Sequence, residues 1–558
     1  MPLMSFSQSS LFAPQSISPG CLTPGTVPWL FAELGESLMP RFLAAEWRGA
    51  GTTGRAAWPS GVLLVLHLLR WSEGGMSRLG ACRRAKTDLA WRAAMGLPAG
   101  GLTPKEKTMR EFEDWLMERS PSCDLPRYMV LHERIVHLVE RGVPSERIWM
   151  EDSTPMLCFG ALRGTVRLLG GGLRSLLRRW SRITKSSMVK QARDWGVPWV
   201  NARSIKGGLD IDWRDRDARH DVVHRLAQDV LRVVDEITNR LHQLPPQHQQ
   251  DIQRRCGVLL KIITDDLETD AAGRLVIARR RTPDRIVSVT DPEARSGRKS
   301  SNQPYKGFKL SVLGDLVSGL ITAVIVVAGN AGDAKPGHEL LERAKRMGLR
   351  IERLLADSAY GGTADRLVVR SLGIELVAPP HAAPADNDEV VQKHEFEIDF
   401  EQHRATCPAG VETAVHRMVS HQGEQCSRYE WPYATCAACE LREKCVPRMS
   451  VSPKHMGRPR KGRRLVLHAQ EEELRAARAA WEDPALRQAY RKRGQGELLI
   501  ARMVRYGARQ VRAFGLAAAN LQAHSVAIAA NLALLARVLA ARLSPAPLAP
   551  LPLFPDTS

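Results

Sequence analysis

Between Arg285 and Ala378 the chain alternates short β-like runs with short helical ones, and that order narrows the folds open to it. Strand signals fall at Arg285 to Thr290, Tyr305 to Leu313 and Leu320 to Ala328. A helix from about Pro336 to Met347 follows, then a strand from Arg350 to Asp357, a helix from Ala364 to Leu372 and a strand from Ile374 to Ala378. Strands in succession, then helices alternating with strands, predict a mixed sheet flanked by helices. The fold class expected is α/β in the α+β, mixed-sheet sense. A further strand-like run at 147–153 joins it.

The rest of the chain divides around this core. Residues 1–44 are rich in Ser, Pro and Gly and read as a disordered N-terminal segment. Residues 45–145 read as a helical domain. Its second helix, Leu79 to Leu97, carries Arg83, Arg84, Lys86 and Arg92. A helix-turn-helix DNA reader and a plain helical bundle both remain open there. The core spans 146–380, with a mostly helical insertion at about 160–282. Residues 381–465 form a cysteine-rich insertion and basic linker, 466–543 are C-terminal helices, and 544–558 are a disordered tail.

The 558 residues carry a formal net charge of +20. An excess of that size points to a polyanionic partner, most simply nucleic acid. Local runs concentrate it, at Arg178-Arg179, Arg279 to Arg281 and Arg458 to Arg464. The longest apolar stretch, Ser525 to Leu543, is interrupted by Asn531 and Arg537, so no membrane partner is expected. No secretion signal is legible, and a cytoplasmic location is expected. Reduced cysteines then follow, as core residues or metal ligands.

Three acidic residues stand out. Asp152 ends the run Arg-Ile-Trp-Met-Glu, and Asp357 ends Arg-Leu-Leu-Ala before Ser-Ala-Tyr360-Gly-Gly. Strand ends are where sites in α/β sheets open. Glu151 adjoins Asp152, but strand alternation sends the two to opposite faces. Glu497 lies in Tyr490-Arg491-Lys492-Arg493-Gly494-Gln495-Gly496-Glu497. Read as one α-helix, that segment puts Tyr490, Arg493 and Glu497 on a single face. Three carboxylates on separate elements can hold two Mg²⁺ or Mn²⁺ ions, which activate an attacking oxygen and stabilise a leaving one. Cys436-Ala-Ala-Cys439, Cys445 and Cys407 in Cys-Pro-Ala-Gly suit a tetrahedral, structural Zn²⁺ in a ribbon-like segment. Cys426 is an alternative ligand, and a metal-free thiol cluster is the competing reading.

These motifs resemble those of bacterial insertion-sequence DDE transposases. Asp152-Ser-Thr-Pro-Met with Gly160 to Thr165 is similar to the family's first-aspartate block. Thr290-Asp-Pro-Glu-Ala-Arg295 and Lys306-Gly-Phe-Lys309 resemble its central strands. Ala356 to Gly361 resembles the second-aspartate block, and Tyr490 to Glu497 the tyrosine–arginine–glutamate signature. Gly51 to Leu97 is similar to the family's helical N-terminal domain. One position departs: Gly496 stands where a Val commonly precedes the Glu, which loosens a helical turn by up to ~1 kcal/mol. The resemblance implies a ribonuclease H-like catalytic core, with Asp152, Asp357 and Glu497 as catalytic metal ligands. It implies DNA contacts through Tyr490, Arg491, Lys492, Arg493, Lys306 and Lys309. The implied partners are double-stranded DNA, as element ends and target, and a second copy of the chain, since paired ends call for at least a homodimer. The implied activity is strand cleavage and strand transfer. A nuclease on the same core, or an inactive DNA-binding descendant, are the alternatives.

Overall fold

The computed structural model describes residues 19–34, 38–47, 57–160, 164–280, 282–300, 302–332, 334–381, 390–421, 424–445, 462–468 and 471–543. The chain divides into two compact units. One comprises Met1–Glu146, Asp152–Leu349 and Gln495–Ser558; the other comprises Arg147–Glu151 and Arg350–Gly494. The tail 544–558 and most of the basic run, 458–461, lie outside the described residues.

The first unit opens with helices α1 (Val27–Leu34), α2 (Arg41–Glu46), α3 (Ser60–Ser72), α4 (Arg78–Thr87), α5 (Leu89–Ala94), α6 (Glu106–Met117) and α7 (Arg127–Glu140). Of the stretch 1–44 expected to be disordered, 1–18 and 35–37 lie outside the described residues, while 27–34 and 41–44 are helical. Within its described part, α1 buries Leu30 and Phe31 completely, so an apolar Val-Pro-Trp-Leu-Phe run outweighs the Ser/Pro/Gly composition around it. Arg92 is also not a surface cation. It is 1% exposed and donates to the carbonyls of Pro98 at 2.6 Å and Ala85 at 3.2 Å. Arg84 is held by Asp88 and Glu73. Arg83 and Lys86 remain on the exposed face of α4.

Strand β1 (Ile148–Leu157) follows, and the boundary between the units falls within it. Helices α8 (Thr165–Thr184), α9 (Met188–Asp194), α10 (Ile205–Gly208), α11 (Arg216–Asn239) and α12 (Pro246–Asp266) come next, with the hairpin β2 (Leu267–Thr269) and β3 (Leu275–Ile277). They enclose their own core, from Leu168 and Trp180 to Val230, Leu259 and Ile286. The strand expected at 285–290 is absent. Residues 282–294 form turns and bends, and the first strand after the hairpin is β4 (Arg295–Ser300). The β-branched run is pinned by its side chains instead: Ser288 and Thr290 hydroxyls bond each other at 3.0 Å, and Asp291 reaches the amide of Gly515.

β4 pairs antiparallel with β5 (Gln303–Asp315), and β5 with β6 (Ile321–Ala328). β6 is an almost wholly apolar run, and β5 is buried from Gly307 onward although it carries Lys309, Ser311 and Asp315. Helix α13 (Ala334–Arg346) follows. After α19 (Glu497–Met503) a π turn with Gly507 at φ 105° redirects the chain into α20 (Leu516–Leu543). α20 lies along β6. Asn520 exchanges both amide bonds with the backbone of Val326, at 2.9 and 3.0 Å, and Asn531 does the same with Ile321, at 2.9 and 2.7 Å. Eleven helical residues and five strand residues both span about 16.5 Å, so the two amides match the strand in register. They satisfy backbone groups of β6 that would otherwise be an open edge. Among the described residues α20 is the one helix long and apolar enough to cross a membrane, yet half of that window is buried inside the protein. Its bonded Asn, Gln and His side chains mark it as a core helix.

In the second unit the first residues of β1 pair in parallel with β7 (Arg353–Leu355), Ile148 opposite Arg353, and β7 pairs in parallel with β8 (Glu375–Val377). The parallel pairs here and the antiparallel pairs of β4, β5 and β6 make the strand pairing mixed, as expected. Helix α14 (Thr363–Ser371) joins β7 to β8. Two small antiparallel sheets follow, β9 (Glu397–Asp399), β10 (Arg404–Thr406) and β11 (Glu412–Thr413), then β12 (His416–His421), β13 (Glu424–Glu430) and β14 (Arg464–His468). Short helices α15 (Tyr433–Ala437) and α16 (Arg442–Cys445) interrupt the second, and α17 (Glu471–Trp481) and α18 (Pro484–Arg491) end the unit.

Candidate active site and cysteine-rich segment

Asp152 lies midway along β1 and is half-buried, with Oδ1 accepting from the amide of Ser153 at 2.8 Å. Glu151 is buried at 2% exposure. Asp357 follows β7 after one residue, Ala356. Its carboxylate caps the 3-10 turn Ser358–Tyr360, accepting from the amide of Ala359 at 2.8 Å. Gly361 continues that turn because nothing larger fits: a Cβ there would come within 2.2 Å of the Pro379 carbonyl oxygen. Glu497 is the first residue of α19 and is exposed, where a carboxylate favours the helix dipole. Asp152 and Glu497 belong to the first unit and Asp357 to the second. Among the described residues no group of three or more His, Cys, Asp or Glu is set to hold a metal ion.

The segment from Tyr490 to Glu497 is not one α-helix. α18 ends at Arg491, a 3-10 turn spans Lys492–Gly496, and α19 begins at Glu497. Gly494 and Gly496 both fall in that turn, whose tighter winding breaks the three-and-four stepping assumed from sequence. Tyr490 is half-buried with its ring edge-on to Trp481, centroids 5.2 Å apart. Arg491 and Lys492 are exposed and Arg493 half-buried. Lys306 is exposed on β5, whereas Lys309 is buried and its ammonium donates to the Ala331 carbonyl at 2.6 Å.

The cysteine-rich segment is built on a core of seven buried residues: Val391, Phe396, Ala405, Tyr429, Trp431, Leu465 and Leu467. Cys407, Cys436 and Cys445 pack against it. Cys407 opens a tight turn after β10. Its amide donates to Val411 at 3.0 Å, and Gly410, at φ 75°, donates to the Cys407 carbonyl at 2.8 Å. Burial pushes the Cys445 thiol up, Arg463 opposes, and Cys436, Cys407 and Cys439 all add to the rise. Cys436, Cys407 and Cys439 therefore each lie within electrostatic reach of Cys445, yet among the described residues they form no group set to hold a metal ion. The amide of Arg463 donates to the Cys436 sulfur at 3.3 Å. Cys426 stands apart, fully buried, with its sulfur 3.7 Å from His468 Nδ1.

Two polar clusters escaped sequence reading. Glu113 of α6 accepts from Arg78 at 2.7 Å and also holds Arg70, while His67 lies 3.2 Å from Glu113 and 2.8 Å from the Ser525 hydroxyl of α20. These are the residue types of a hydrolase relay. However, Ser525, His67 and Glu113 are all buried, and the serine hydroxyl donates to the Leu521 carbonyl. The cluster binds α20 to the helices before it. The second is His132 and His524, Nδ1 to Nδ1 at 3.0 Å, fully enclosed. A lone His in an apolar helix carries no sign of such a partner, which lies 392 residues away.

Residues 406–536 match the family model described as a transposase DDE domain. The chain thus resembles DDE transposases, as its motifs implied, and a DNA-processing activity with DNA as partner follows from the likeness. The matched stretch contains the four cysteines, Tyr490, Arg493 and Glu497; Asp152 and Asp357 lie before it. No curated protein and no solved structure matches the chain.

Proposed function

We propose that this protein is a transposase that cuts DNA strands at the ends of an insertion sequence and joins the freed 3′-hydroxyl to target DNA. The observation that carries this reading is the transposase DDE domain over 406–536, which includes the segment Tyr490 to Glu497. The antiparallel β5–β6 pair of the first unit and the parallel β1–β7 and β7–β8 pairs of the second are pairings that a ribonuclease H-like core would contain. The basic surface is consistent with polyanion binding.

Asp152, Asp357 and Glu497 are the carboxylates of this chemistry. Carboxylates are the hard donors that Mg²⁺ or Mn²⁺ takes. Such ions, when bound, supply activation of the attacking oxygen and neutralisation at the leaving one. Lys306, Arg491 and Lys492 offset phosphate charge, and Arg493, with its planar fork, orients a phosphate beside Tyr490. The thiols Cys407, Cys436, Cys439 and Cys445 hold a structural Zn²⁺. The Arg463 amide on the Cys436 sulfur and a core too small to sustain the segment alone both favour that reading. Two element ends held together call for at least two chains.

The test is a cleavage and joining assay with Mg²⁺ on DNA carrying the element's terminal repeats. Wild-type protein should yield 3′-hydroxyl ends and strand-transfer products. Asp357→Ala, Asp152→Ala and Glu497→Ala should each abolish both while end binding persists, since phosphate contacts carry affinity. Normal cleavage by Asp357→Ala would remove that residue from the assignment. Cleavage without joining would make the protein a nuclease.

A further inference from the structure

Two phenylalanine rings meet on the surface of the first unit. Phe159 follows β1 and Phe514 precedes α20; their centroids are 5.2 Å apart, and they are 52% and 50% exposed. Single exposed apolar residues are ordinary. A touching, half-exposed aromatic pair on a fixed backbone is not, and here the backbone is fixed on both sides.

Leu157 and the segment after α19 are zipped together: the Leu157 amide donates to the Arg509 carbonyl and the Val511 amide to the Leu157 carbonyl, both at 2.9 Å. Gly160, next to Phe159, fits so closely that a Cβ would lie 2.5 Å from the Ser288 hydroxyl. Gly515, next to Phe514, sits at φ 91°, and its amide donates to buried Asp291 at 3.1 Å. Glu293 accepts from the following amide, Leu516, at 2.7 Å. The loop 288–293 thus packs on or bonds the backbone adjoining each ring, at Gly160 and at Gly515 and Leu516. Around them stand exposed cations: Lys306, which acts electrostatically on the neighbouring Cys158, Arg509, whose guanidinium bonds Thr154 of β1, and Arg512. Asp152 is seven residues from Phe159, at most about 23 Å of extended chain.

We propose that the Phe159–Phe514 pair is a stacking platform for an unpaired base of a DNA strand whose phosphates lie on Lys306 and Arg509. Aromatic faces accept any base, and flanking cations track the backbone; together they form the general chemistry of single-strand binding. Rigid presentation lowers the entropy lost on contact. The strand gains a fixed point near β1, so the inference deepens the transposase reading and rests on it for the source of the strand.

The test uses full-length protein, fluorescent oligothymidylate and a duplex of equal length. The double variant Phe159→Ala/Phe514→Ala should weaken oligothymidylate binding by about tenfold or more. Duplex binding should stay within about twofold, because phosphate contacts carry it. Phe514→Trp should retain wild-type affinity for the single strand. Thermal melting checks that the variants are folded. Unchanged oligothymidylate binding overturns the inference, and so does an equal loss on duplex. Conversion of an oligomer to a monomer by the double variant, read by light scattering, also overturns it, since the rings would then face a second copy. Failure of the functional reading looks different: the wild-type protein would bind single strands through the pair yet neither cut nor join element ends.

Discussion

The α20 core and the cysteine-rich segment solve the same problem by opposite means. α20 buries side chains along most of its length, and its polar ones reach partners: Asn520 and Asn531 on β6, Ser525 on His67, and Gln522 on the carbonyls of Gly507 and Gln510. Among its described residues the cysteine-rich segment has a core cluster of seven, with three thiols acting electrostatically on Cys445. The first rests on apolar area and on hydrogen bonds from most of its buried polar side chains, so its stability is expected not to depend on redox state or metal. The second has a small core among its described residues, and under the proposed zinc reading its order would depend on its thiols.

The sharpest way to break this contrast is chelation. If Zn²⁺ holds the four thiols, a strong chelator removes a contribution of the order of 10 kcal/mol from the segment. Proteolysis should then cut within 390–445 while leaving α20 and its neighbours protected. Purified protein should contain about one Zn²⁺ per chain by elemental analysis. Protection of the segment unchanged by chelator, with no zinc found, would show that it is held by its core alone.

Next in size is Glu113→Ala. Its carboxylate faces Arg70, Arg78 and His67, and these partners hold it down to about 2 against burial, which pushes the other way. Removing it leaves buried Arg70 uncompensated, a loss of roughly 3–5 kcal/mol. Denaturant unfolding should show that loss in the α20 core with the cysteine-rich segment unaffected. Asn531→Leu is smaller. It leaves the Ile321 amide and carbonyl without their side-chain partner, at a cost of about 1–3 kcal/mol, and a loss below about 0.5 kcal/mol would mean water replaces the clip.

What was legible in the sequence follows the same division. Local signals were readable: Asp357 near a strand end before Gly-Gly, and the strand runs that form β5 and β6. What depended on distant partners was not. Ile286 to Thr290 has a strand's composition, but its loop conformation is fixed by contacts with Gly160 and the start of α20. Val27 to Phe31 sits in a Pro/Ser/Gly-rich region, and only helices elsewhere in the chain give it a surface to pack on. Arg92 reads as a surface cation until Pro98 and Ala85 are seen to accept its protons. The Tyr490–Glu497 segment failed for a local reason, its two glycines, that a strict α-helical template overlooked.

The finest test of the contrast is pH. His132 and His524 are enclosed by Tyr128, Met129, Glu133, Thr322, Arg343 and Met347. His132 Nε2 faces the Ile321 carbonyl at 3.2 Å, so it carries the hydrogen; its Nδ1 then accepts from His524 Nδ1. Burial drives both imidazoles down, His132 to about 4 and His524 well below its ordinary value. Unfolded, each takes up a proton near pH 6.5. The unfolded chain therefore binds more protons below that pH, and the stabilisation present above 6.5 is lost as pH falls toward 4. Asp291 runs the other way: burial lifts it to about 6, so it adds stability as pH falls from 6 toward 3.8. Glu113 contributes only lower still, its stabilisation being lost from 4.5 toward 2. Wild-type unfolding between pH 6.5 and 4.5 therefore mixes two opposite slopes, and a variant separates them. In Asp291→Asn the acid loss should steepen, approaching about 1.4 kcal/mol per pH unit for each histidine proton taken up. In His524→Gln it should shrink or reverse. Parallel curves for the two variants would mean that the histidine pair is already hydrated in the folded state, and that the α20 core is less sealed than its burial implies.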